Sequence, residues 1–188
     1  MFSFIVENKG KADLSVTGTY MNLIKNACAD VGEVEYISKG TPAKSKASYI
    51  VTDTIQAAFS YIIRGYKNHI VWMQGVVPEE SYMRRRSKLR YYLIGIMEKI
   101  VLKKAKLLVL VSNEMLTHYE GKYNLKLAEK SIVMPCFNET ELVETAFEDN
   151  KYQENSFVYV GSLHAWQCFE QTVSLYAELE RRSNFNTK

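Results

Sequence analysis

Short apolar runs rich in β-branched residues alternate along the chain with longer segments of helical period. Residues 2–6, 34–38, 49–52, 70–73, 107–111 and 132–134 have strand length and composition, and the segments 19–30, 56–64, 82–104 and 114–123 carry helical spacing. Strands separated by helices predict an α/β architecture, a Rossmann-like parallel sheet with helices on both faces. In such sheets ligands sit beyond the carboxyl ends of the strands, so function is sought in the loops that follow them.

The pattern fades over 139–154, where six acidic residues meet one lysine. This stretch reads as a linker between a first domain over 1–150 and a second part over 151–188. The second part offers a strand at 157–160, a turn at Gly161-Ser162 and a helix over 169–182. One β-α unit cannot bury its own apolar face, so the second domain reads as incomplete. The strand at 157–160 is expected to pack on the first domain or to pair with another copy as a homodimer.

Composition narrows the class. The 188 residues are 47% hydrophobic and 12% aromatic, enough for a packed core and too apolar for disorder over most of the chain. Lys and Arg (24) nearly cancel Asp and Glu (21), which argues against a dedicated nucleic-acid binder unless the cations cluster. The longest apolar stretch, 91–97, falls far short of the roughly 18 residues of a membrane span. The N-terminus has no basic region ahead of its apolar run and reads as a strand, so a cytosolic location is expected. Cys28, Cys136 and Cys168 lie outside any Cys-x-x-Cys pattern, which fits reduced thiols. His69, His118 and His164 are scattered, and no metal site is expected.

Four motifs in order carry a resemblance. Trp72-Met73-Gln74-Gly75-Val76-Val77-Pro78-Glu79-Glu80-Ser81 is followed by a basic helix, then Val109-Leu110-Val111-Ser112-Asn113-Glu114-Met115, then Val133-Met134-Pro135-Cys136-Phe137-Asn138. Phe157-Val158-Tyr159-Val160-Gly161-Ser162-Leu163 comes last. Over about residues 70–175 this order resembles the GT-B retaining glycosyltransferases of family 4 type, used in bacterial surface-polysaccharide synthesis. The resemblance implies an acceptor-side domain joined to the start of a donor-side domain. It also implies hexose transfer from a nucleotide sugar, with retention and without metal or cofactor, to a sugar or lipid-linked acceptor. The chain departs from the family pattern in having Gln74-Gly75 for His-Asp and Gln167-Cys168 for Lys-Gly.

Within that expectation, Gln74, Gly75, Glu79 and Glu80 are the acceptor-binding candidates, with Gln74 bonding sugar hydroxyls and a carboxylate orienting the acceptor or taking its proton. Equally, Pro78-Glu79-Glu80 has the form of a helix start, proline early and acids in the first turn. Gly18, Gly161 and Ser162 are the candidates beside the donor diphosphate, where N–H groups at a helix start attract anions. Their other reading is as capping and turn residues.

Nine basic residues and one acid fall between Arg84 and Lys106. Leu89, Leu93, Ile96 and Ile100 form an apolar stripe there, flanked by Lys88, Lys99, Lys103 and Lys106. Such a helix can lie on an anionic membrane surface, or it can be a core helix with a solvated basic face. Nucleic acid is disfavoured as a partner because the neighbouring aromatics belong to the helical apolar pattern and no RNA-binding signature appears. Neither a Gly-x-Ser-x-Gly elbow nor a Walker motif is present, and Ser112 fits a helix N-cap. The alternative to an enzyme is a non-catalytic Rossmann-like module that binds a sugar or a protein.

Overall fold

The structure, a computed structural model, describes residues 1–6, 16–136, 158–161, 163 and 167–183. Its strands are β1 (Phe2–Val6), β2 (Val34–Ser38), β3 (Tyr49–Thr52), β4 (Asn68–Met73), β5 (Leu107–Leu110) and β6 (Ser131–Val133). They form one sheet in the order β2-β1-β3-β4-β5-β6, with every pairing parallel. The helices are α1 (Val16–Ala29), α2 (Ile55–Ile63), α3 (Val77–Arg85), α4 (Lys88–Lys104), α5 (Asn113–Tyr123) and α6 (Phe169–Ser183). The expected Rossmann-like α/β sheet is therefore present.

Alternating side chains on each strand serve opposite faces of the sheet. Phe4, Val51, Ile70, Trp72 and Val109 pack with Tyr20, Met21 and Ile24 of α1. On the other face Ile5 and Ile50 meet Ala57 and Tyr61 of α2, while Val71, Met73, Leu108 and Leu110 meet α2, α4 and α5. Burial from both sides explains why these strands read as nearly unbroken apolar runs.

Local chemistry sets the helix starts. Thr54 Oγ1 accepts from the Ala57 N–H at 3.3 Å to open α2. Ser112, two residues past the end of β5, accepts from the Met115 N–H at 3.2 Å to open α5, the N-cap role expected of it. Pro78 sits in the first turn of α3 with Glu79 and Glu80, so the helix-start pattern there is realised.

Two expectations are corrected and one open orientation is fixed. The segment 82–104 is two helices: Arg86 turns left-handed (φ 51°), its N–H closes α3 on the Tyr82 carbonyl at 2.7 Å, and Ser87 caps α4. Neither glycine nor proline marks this break, because a single arginine accepts the αL geometry. Next, of the two orientations left open for the apolar stripe of α4, the outward one holds for all but Ile100, which is half-buried. Ile94, Glu98, Val101 and Leu102 point inward, and Leu89, Leu93 and Ile96 are exposed. Finally, residues 158–160 form no strand, and Val158 and Val160 are 84% and 88% exposed.

Candidate functional site

The sheet reverses its winding at β1, whose two neighbours are β2 and β3. Ligands of doubly wound sheets lie near such switch points, beyond the strand carboxyl ends. A cleft of about 310 Å³ opens beside it, past β3 and β4, bordered by Asp53, Thr54, Gln56, Gln74, Gly75 and Glu80. Its floor is Trp72 and Met73, the buried end of β4.

Gln74 leaves β4 at the edge of this cleft and is exposed. Its Nε2 donates to the Asp53 carbonyl at 3.3 Å, and its Oε1 accepts from Thr17 Oγ1 at 3.4 Å. The side chain thus spans from the end of β3 to the first turn of α1. Gly75 follows, and its carbonyl accepts from the Tyr119 hydroxyl of α5 at 2.9 Å. A Cβ on Gly75 would crowd Glu80 Oε1, so the two residues share the same corner of the cleft. Gln74, Gly75 and Glu80 come together as three of the four acceptor candidates.

The fourth, Glu79, faces elsewhere. Its Oε1 is 2.7 Å from Lys122 Nζ, 3.5 Å from His118 Nε2 and 3.4 Å from the Tyr91 hydroxyl. Lys122 also lies 3.3 Å from Glu98 Oε2, to which the Tyr123 hydroxyl donates at 2.6 Å. Glu98 is wholly buried, and desolvation raises its carboxyl above the usual range against the opposing pull of Tyr123 and Lys122. Two consecutive residues of one helix thereby divide, with Glu80 at the cleft and Glu79 joining α3 to α5.

Of the donor-diphosphate candidates, Gly18 and Gly161 do not border the cleft. Gly18 is the third residue of α1, buried inside its first turn because the helix begins at Val16. Gly161 is exposed in a bend, where an added Cβ would meet the Tyr159 hydroxyl at 3.0 Å and Gln167 Oε1 at 3.1 Å. Ser162 and residues 7–15 lie outside the described residues. Of the basic candidates, Lys88, Lys99 and Lys103 are exposed on α4. Lys106 lies beyond the helix end, in the turn into β5, where its N–H donates to the His69 carbonyl at 2.8 Å.

Asp53, Thr54 and Gln56 were missed as candidates. They follow β3 at the same carboxyl edge as Gln74, so applying the strand-end rule to every strand finds them. Among the described residues, no group of three or more His, Cys, Asp or Glu side chains is arranged to hold a metal ion.

Comparison with protein-family models, curated proteins and solved structures returns no match. The cleft's chemistry therefore stands on its own geometry. Among the described residues, two carboxylates, two carboxamides and a hydroxyl border it, and neither lysine nor arginine does.

Proposed function

We propose that the cleft binds the sugar acceptor of a glycosyl transfer, this chain forming the acceptor side of a glycosyltransferase. The observation that carries the proposal is the lining that the described residues form: Asp53 and Glu80 with Gln56, Gln74 and Thr54, and no cation among those residues. Carboxylates accept hydrogen bonds from hydroxyl groups, and carboxamides both donate and accept, so the set complements an uncharged polyol. Among the described residues a diphosphate would meet two carboxylates and no compensating charge, which favours an acceptor over a nucleotide donor. In transfer, a carboxylate within reach of the acceptor hydroxyl would orient it and lower the cost of losing its proton.

Saturation-transfer NMR with methyl glucoside, galactoside and mannoside, and separately with UDP-glucose, tests this reading. At least one hexoside should receive saturation from the protein. The signal should be lost in Gln74→Ala and Glu80→Gln and kept in Glu79→Gln, whose site faces Lys122. Silence from all three hexosides, or a signal indifferent to the two cleft substitutions, overturns the proposal. UDP-glucose binding that depends on Gln74 and Glu80 removes the acceptor assignment.

A further inference from the structure

Helices α2, α4 and α5 each open on a capping hydroxyl, from Thr54, Ser87 and Ser112, whereas α3 opens at Val76 with no side-chain cap. A helix of nine residues has little stability of its own, so contacts with the rest of the fold must hold α3 in place. Those contacts also decide where Gln74 and Glu80 stand, because residues 74–80 run from the end of β4 into the first turn of α3.

Two side chains of α5, three residues apart on one side of that helix, reach this segment. The Tyr119 hydroxyl donates to the Gly75 carbonyl at 2.9 Å, and Lys122 Nζ lies 2.7 Å from Glu79 Oε1. Each contact falls on the sequence neighbour of a cleft residue, Gly75 beside Gln74 and Glu79 beside Glu80. Both side chains rest on a fixed base. Tyr119 is wholly buried in the apolar core, and Lys122 is 3.3 Å from the buried Glu98, which Tyr123 holds at 2.6 Å. Neither Tyr119 nor Lys122 borders the cleft itself.

We propose that Tyr119 and Lys122 are positioning residues of the cleft, pinning residues 75 and 79 to α5 and so fixing Gln74 and Glu80 where a ligand meets them together. The ligand in this statement rests on the acceptor reading, whereas the pinning is measured without any sugar. A wall freed from α5 would visit arrangements in which Gln74 and Glu80 stand apart, and affinity would fall by the fraction of competent wall lost. Losing one hydrogen bond shifts such an equilibrium about fivefold. Glu79→Gln keeps an oxygen that Lys122 can reach, so that variant should hold the wall. Lys122→Met removes the donor and keeps the aliphatic stem.

Amide hydrogen exchange followed by NMR in the absence of sugar tests the pinning. The Glu80 N–H, which donates to the Val76 carbonyl at 3.1 Å, reports whether the first turn of α3 opens. Tyr119→Phe keeps the buried ring and should speed exchange at Glu80 about fivefold, as should Lys122→Met. Lys122→Arg, which keeps a cationic donor, should stay at the wild-type rate. Were the two side chains serving overall stability alone, exchange would rise at the core amides of β4 and β5 and stay unchanged at Glu80, and that result overturns the proposal. Should Lys122→Met fail to fold, Tyr119→Phe, which removes a single oxygen, carries the test. Titration of methyl glucoside, galactoside and mannoside by saturation transfer then reads the cleft. The dissociation constant of any that binds the wild type should rise about fivefold in Tyr119→Phe and Lys122→Met and stay level in Glu79→Gln. A constant unmoved in the first two variants overturns the positioning role and leaves the acceptor reading intact. Silence from all three hexosides removes the acceptor reading, and exchange at Glu80 alone then decides the pinning.

Discussion

Helices α2 and α4 pack against each other on one face of the sheet, yet only α4 buries a carboxyl group there. The inward side of α2 is Ile55, Ala57, Ala58 and Tyr61, and its polar Gln56 faces out. The inward side of α4 holds a carboxyl group, Glu98, among Ile94, Val101 and Leu102, while leucines and isoleucine face solvent. Apolar periodicity alone therefore does not say which side of a helix meets the core. The Arg86 turn and the Ser87 cap set the rotation at which α4 begins, and Tyr123 and Lys122 supply partners that make a buried Glu98 tolerable.

The largest effect should come from the side that packs. Leu102→Ala removes a wholly buried side chain and should cost about 3 kcal/mol in urea unfolding. A loss below about 1 kcal/mol would mean that α4 is not anchored where the structure puts it.

A smaller effect tests the buried carboxyl by its pH dependence. Burial raises Glu98 above the ordinary value of 4.5, so the folded chain keeps a proton that the unfolded chain releases. The stability this gives is complete below pH 4.5 and is lost as pH rises through the folded value. Glu98→Gln has no proton to lose, so its unfolding midpoint should gain on that of the wild type as pH climbs from 4.5. His69, buried and lowered from 6.5, works the other way, destabilising the fold as pH falls below that value, but both proteins share it. A difference that stays flat with pH would show that Glu98 is not the titrating group.

The smallest effect belongs to the outward strip. Leu93→Ala should move stability by about 0.5 kcal/mol or less, because that side chain already stands in water. A cost near that of Leu102→Ala would reverse the comparison between the two sides of α4.

The strands were legible in the sequence because parallel strands covered on both faces need unbroken apolar runs, as in Ile70-Val71-Trp72-Met73. Helix starts were legible where a side chain makes the cap, as at Ser112, or where proline enters the first turn, as at Pro78. The break at Arg86 was hidden because arginine carries no left-handed preference. The rotation of α4 was hidden because it depends on partners about 25 residues away in α5. At the cleft, Gln74, Gly75 and Glu80 followed from the strand-end rule, whereas Glu79 and Glu80 could be told apart only once α5 was in place beside α3.

The strand order also has a kinetic consequence. With β1 laid down, β2 joins one side of it and β3 the other, and β4, β5 and β6 then extend outward in turn. Each strand meets a free edge when it arrives, and none has to be threaded between two already paired. A chain emerging from the ribosome amino end first can therefore assemble this sheet in the order of synthesis, closing each loop onto structure that already exists.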